Sequence, residues 1–116
     1  MKTEKIWGVT ELIHKTPFTE MHHLSIIPNA WCSIHKHQYK HNLFYVLSGE
    51  LYIGIFTDDG AIKDVIRLGM GERLVIQPNV KHKFATHSQP CECIEIYYPE
   101  PLSEDIVRAD VGGKVT

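Results

Sequence analysis

His35-Lys36-His37-Gln38-Tyr39-Lys40-His41-Asn42-Leu43-Phe44-Tyr45-Val46-Leu47-Ser48-Gly49 is the stretch on which the reading of this chain turns, and Pro78-Asn79-Val80-Lys81-His82 answers it after a glycine-bounded hairpin. Side chains alternate faces along an extended strand, so His35 and His37 point the same way. Two imidazoles on one face, joined by His82 from a later strand, predict a divalent-metal site. The same alternation puts Phe44 and Val46 on the face of Asn42, and Phe84 on the face of His82. These three are expected to wall the pocket. A lone H-x-H on a strand is more often surface decoration. The turn spacing and the third histidine separate this pair from the other histidines, eight in all.

Working outward, the chain reads as one domain over residues 1–116, with a core over approximately 20–98 and an N-terminal strand and C-terminal tail packed outside it. Its formal net charge is −2, with no basic stripe, so nucleic acid is not an expected partner. No apolar run is long enough to cross a bilayer and the N-terminus lacks an apolar leader core, so no membrane association and a cytoplasmic location are expected. Three cysteines, Cys32, Cys91 and Cys93, are an odd number and argue against a disulfide framework. They read as small strand residues.

Short β-rich runs between turn residues fill the chain: Ile6–His14, Met21–Ile27, Ala30–His37, Leu43–Leu47, Glu50–Thr57, Ala61–Leu68, Arg73–Gln77, His82–His87 and Cys91–Tyr98. Pro28-Asn29, Ser48-Gly49, Asp58-Asp59-Gly60 and Ser88-Gln89-Pro90 turn it. Ser103-Glu104-Asp105 is expected to cap a short C-terminal helical turn over Ile106–Arg108, with a loose tail beyond. On the last strand, apolar burial favours Ile94 and Ile96 inward and therefore Glu95 outward. Many short strands at even spacing predict an all-β sandwich or barrel, and the length suits a small jelly roll.

The two quoted stretches resemble the motifs of the cupin family. The first follows H-x-H, a spacer, the family's carboxylate position and a closing glycine at Gly49. The second runs from Gly71 through Pro78 to His82, with Asn79 or Val80 where the family has glycine. The resemblance implies a jelly-roll barrel (a double-stranded β-helix) and a divalent metal, with Zn, Ni, Fe, Mn and Cu not distinguished. By motif matching, the metal ligands are His35, His37 and His82. Asn42 stands where the family has glutamate and is a neutral fourth ligand, unless a one-residue bulge turns His41 inward instead. A neutral set holds a dication less strongly and leaves it a stronger Lewis acid.

The ends resemble the cupin domain of type II mannose-6-phosphate isomerases. Trp7-Gly8 opens the domain, and Ile106-Val107-Arg108 with Asp110 matches its tail, whereas Gly112 and Lys114 replace a tyrosine and an arginine. The resemblance implies aldose–ketose isomerisation of a sugar phosphate, which needs an electrophile, a base and cations for the phosphate. His41, Tyr97 and Arg108 are the catalytic candidates, and Arg108 and Lys114 are candidates for closing over the phosphate. A small metal-dependent dioxygenase and a non-catalytic sugar-binding or regulatory cupin are the competing readings. A homodimer is expected, since exposed sheet edges need covering.

Overall fold

The computed structural model describes residues 1–99 and 111–115. The described strands are β1 (Lys2–Lys5), β2 (Gly8–Lys15), β3 (Glu20–Ile26), β4 (Lys40–Ser48), β5 (Leu51–Phe56), β6 (Ile62–Leu68), β7 (Arg73–Ile76), β8 (Lys81–Ala85) and β9 (Cys91–Pro99). They form two antiparallel sheets, one in the order β1-β2-β3-β9-β4-β7 and one in the order β6-β5-β8. The sheets pack face to face as a jelly roll around one shared core. Among the described residues there is no helix, and none long and apolar enough to cross a membrane. The helical turn expected over Ile106–Arg108 lies outside the described residues.

Period-two patterning produces the core. Phe44 and Val46 on β4, Leu51 and Ile53 on β5, and Cys91 and Cys93 on β9 are fully buried between the sheets. Each large apolar side chain so buried stabilises the fold by about 1.5–3 kcal/mol. Towards one end of the barrel the interior changes character. Asn42, His82 and Glu95 are buried there, and this end holds the candidate site.

Two expected strands differ from those observed. The strand expected over Ile6–His14 starts only at Gly8, as β2, because the chain reverses at Ile6 and Trp7 after β1, a strand that was not expected. The reason is Trp7, which turns into the core and packs edge-on against Phe84, ring centroids 4.9 Å apart. Gly8 makes the reversal feasible: it has φ +146°, and a Cβ there would lie 1.9 Å from the Ser25 carbonyl oxygen. Ala30–His37 is extended but meets β8 only at separated bridges, Trp31 with Ala85 and His35 with His82.

Gly49 closes the β4–β5 hairpin with φ +79°, and a Cβ there would meet the Pro90 carbonyl oxygen at 2.0 Å. Backbone would have to move to accept any side chain. Gly49→Ala should therefore destabilise the protein by roughly 2–4 kcal/mol in urea titrations. A loss below about 0.5 kcal/mol would show that this close approach does not constrain the hairpin.

Candidate metal centre

His35 and His82 face each other across a narrow antiparallel bridge. The His35 amide donates to the His82 carbonyl at 3.0 Å, and the His82 amide returns the bond at 2.9 Å. Each imidazole is then oriented by its own neighbourhood. His35 Nδ1 donates to the Ser33 carbonyl at 2.8 Å, and His82 Nδ1 donates to the Val80 carbonyl at 2.9 Å. A neutral imidazole has one N–H, so both bonds leave Nε2 as a lone-pair donor. His37 is tied in through its backbone, since the Asn79 amide donates to the His37 carbonyl at 2.8 Å. Asn79 has φ +66°, the left-handed geometry that a glycine in the resembled motif would supply and that asparagine tolerates. The turn at Pro78–Val80 thus fixes two of the three histidines.

The ligating atoms of His35, His37 and His82 all lie within 4.8 Å of one another. His37 Nε2 is buried without a hydrogen-bond partner, an arrangement native structures rarely tolerate without a use. Burial pushes His82 down to about 4, helped by His35 and His37 against the opposing Val80 bond. Burial, then His35 and Lys40, also lowers His37. Uncharged imidazoles at neutral pH are what a divalent cation requires. The donor set fits a borderline first-row dication such as Zn²⁺ or Fe²⁺.

Asn42 completes the argument for fit. Its Oδ1 lies 3.1 Å from His82 Nε2, and its Nδ2 donates to Glu95 Oε2 at 3.3 Å. With Nδ1–H committed to Val80, His82 presents a lone pair to an amide oxygen, acceptor to acceptor. A cation relieves that conflict: neighbouring ligands on an ion at about 2.1 Å sit about 3 Å apart. Without a cation, the amide would turn Nδ2 towards His82, and Glu95 would need a proton to face Oδ1. Burial raises the Glu95 carboxyl, opposed by hydrogen bonds from Tyr97 and Asn42.

The imidazoles open onto a cavity of about 600 Å³ whose lining includes Trp7, Phe84, Glu95 and Tyr97. Tyr97 stands edge-on to His37 at 4.8 Å between centroids. Burial, followed by the Glu95 charge and hydrogen bond, pushes its hydroxyl up. Phe84 lines the cavity, Phe44 packs behind the His82 ring at 6.4 Å, and Val46 lies in the core. His41 occupies the alternate position on β4, stacked on Tyr98, with its Nε2 paired to Gln77 Oε1 at 2.9 Å. Lys114 is exposed, and Arg108 lies outside the described residues.

Glu95 reverses an expectation: it is 7% exposed and faces the cavity, while Ile94 and Ile96 take the outer, half-buried side of β9. The signal was available in Cys91 and Cys93. Cysteine is among the most buried residue types, and both share the Glu95 face. Further cavity residues carried no motif. Glu20 Oε2 pairs with His22 Nε2 at 2.9 Å, and His22 Nδ1 lies 3.2 Å from Thr10 Oγ1, building a polar wall from β2 and β3.

Residues 22–97 match the cupin domain family. No curated protein matches the chain. Among solved structures, KdgF from Halomonas sp. superposes with a TM-score of 0.73 at 15% identity, over 87% of this chain and 89% of that one. The formate complex of Lactobacillus farciminis oxalate decarboxylase gives 0.73 at 13% identity, and the match covers 89% of this chain but 31% of that one. A cupin-2 domain protein from Shewanella frigidimarina gives 0.63 at 23% identity, over 84% and 85% of the two chains. At these identities the likeness shows the fold alone.

Two outcomes follow from the geometry. His82→Ala should strip the protein of its divalent ion by elemental analysis, and Asn42→Glu should slow its loss to a chelator. Full metal content in His82→Ala would place the ion elsewhere. In the metal-free protein, His82 titrates near 6.5 when unfolded and about 4 when folded. A depressed folded value means stability is present above 6.5 and lost as pH falls towards 4, by up to about 3 kcal/mol. Urea midpoints between pH 7 and 4.5 should show that loss, and His82→Gln should flatten it. An equal slope in both proteins would contradict the assignment.

Proposed function

This chain belongs to the cupin domain family, and we propose that it is a divalent-metal isomerase that moves a proton between adjacent carbons of a sugar phosphate, aldose to ketose. The observation that carries the reading is the placement of Glu95: a buried carboxylate, hydrogen-bonded to Asn42 and Tyr97, in the same cavity as the three imidazoles. When bound, the ion supplies Lewis acidity to a substrate oxygen at His35, His37, His82 and Asn42.

The chain's own groups meet the remaining requirements. Glu95 takes the proton from the carbon beside the carbonyl and returns it to the neighbouring carbon; its raised pKa brings it towards the working range of a base. Tyr97 donates its hydroxyl hydrogen to Glu95 and holds the carboxylate in place. Lys5 and Lys40 line the cavity and offer charge to a phosphate. Trp7 and Phe84 exclude water from one wall. The reading extends to a single domain, a homodimer and a cytoplasmic setting, the last supported by three buried free thiols.

The neutral ligand set favours a second reading, a cupin dioxygenase. Metal-loaded protein incubated with mannose 6-phosphate in deuterium oxide separates the two. The isomerase yields fructose 6-phosphate, which carries solvent deuterium to the extent that the proton held on Glu95 exchanges before its return, and Glu95→Gln should lose about 10²–10⁴-fold in rate while keeping its metal. Oxygen uptake by the Fe²⁺-loaded protein without isomer would favour the dioxygenase. Neither isomer nor deuterium exchange would sink the isomerase reading.

A further inference from the structure

Beside the cavity that faces the imidazoles lies a second, smaller one of about 290 Å³. The two are continuous in their walls: Glu20, Lys40 and Tyr97 line both. The residues that line only the smaller cavity include two aromatic side chains, Phe18 and Tyr39, delivered by the β2–β3 turn and by the loop that enters β4. They are 66% and 74% exposed.

The loop carrying Phe18 is held in shape. The amides of Phe18 and Thr19 both donate to Thr16 Oγ1, at 3.1 and 2.9 Å, and the Thr16 amide donates to the Thr19 carbonyl at 2.7 Å. Lys15 and Glu20 close its base with an ion pair at 3.5 Å. Phe18 is therefore presented on a fixed support, which lowers the entropy lost when something lands on it. The rim around the two rings is polar and carries both signs, with Lys15, Lys40 and Glu20. Lys40 Nζ also lies 6.0 Å from the Tyr97 ring centroid, at the junction of the two cavities.

Flat apolar faces ringed by donors and acceptors of both signs match one chemistry well: a pyranose or furanose ring, with C–H faces for the aromatics and hydroxyl edges for the rim. We infer that Phe18, Tyr39 and the Tyr97 junction form a second sugar subsite, so that the physiological ligand is a sugar phosphate of at least two linked residues with its reducing end at the imidazoles. The inference rests on the reading that the first cavity receives a sugar, and it extends that reading from a monosaccharide to a linked one. An elongated ligand would lie across Tyr97, with Lys40 beside the linkage.

The test uses the metal-loaded full chain and follows binding by saturation-transfer NMR. Reducing disaccharides carrying a 6-phosphate on the reducing residue (maltose, cellobiose, lactose and mannobiose) are compared with glucose 6-phosphate and mannose 6-phosphate. At least one disaccharide should bind about tenfold or more tightly than its constituent monosaccharides. Phe18→Ala and Tyr39→Ala should each erase that advantage while metal content and monosaccharide affinity stay unchanged. Both side chains are exposed, so neither change endangers folding. If monosaccharides bind and disaccharides gain nothing, or if the aromatic variants keep the gain, the second subsite is refuted and the first-cavity reading stands. If no sugar binds at all, both readings fall.

Discussion

The paired backbone hydrogen bonds between His35 and His82 are the constraint from which the site follows. They fasten a segment with only scattered sheet pairing to β8, and they do so at the residues whose imidazoles must meet. The Asn79 amide adds the third tie, to the His37 carbonyl. Side-chain bonds to Ser33 and Val80 then choose the tautomers. Three imidazoles converge because the backbone leaves them little freedom, so little ordering entropy remains to be lost when an ion binds.

The charge arrangement around this frame is unusual for the motif it resembles. A carboxylate at position 42 would neutralise part of a dication directly. Here Asn42 is neutral and the carboxylate stands one strand over, at Glu95, reaching the site through the Asn42 amide. Register makes this economical: Asn42 on β4 pairs with Tyr97 on β9, and Phe44 pairs with Glu95. His22 on β3 faces Glu95 from the other side of β9. A polar floor of Glu20, His22, Glu95, Tyr97 and Asn42 is thereby spread across three neighbouring strands opposite the imidazoles. In the function proposed above, the Glu95 carboxylate is the group that moves the proton.

Much of this was legible in the residues alone, for a definite reason. H-x-H followed by a glycine-closed hairpin and a later Pro-bounded histidine fixes spacing, and spacing on strands fixes faces. The nine expected runs overlap the observed strands or the extended segment at 30–37. What failed were places where local pattern and tertiary demand disagree. Ile6–His14 alternates well enough for one strand, yet Trp7 has a core to reach and the chain reverses to let it. Ile94 and Ile96 look like interior residues beside a glutamate, yet the interior at that end is polar, and the two cysteines were the better guide. Phe18 and Tyr39 carry no motif, and their meaning appears only when two loops are seen to flank one hollow.

X-ray absorption of the metal-loaded protein tests the central claim most directly. Three imidazole scatterers at about 2.1 Å with their outer-ring shells, together with oxygen ligands, are the expected pattern. Fewer than three imidazoles, or a thiolate at about 2.3 Å, would contradict the account by placing the ion outside the site that His35, His37 and His82 build.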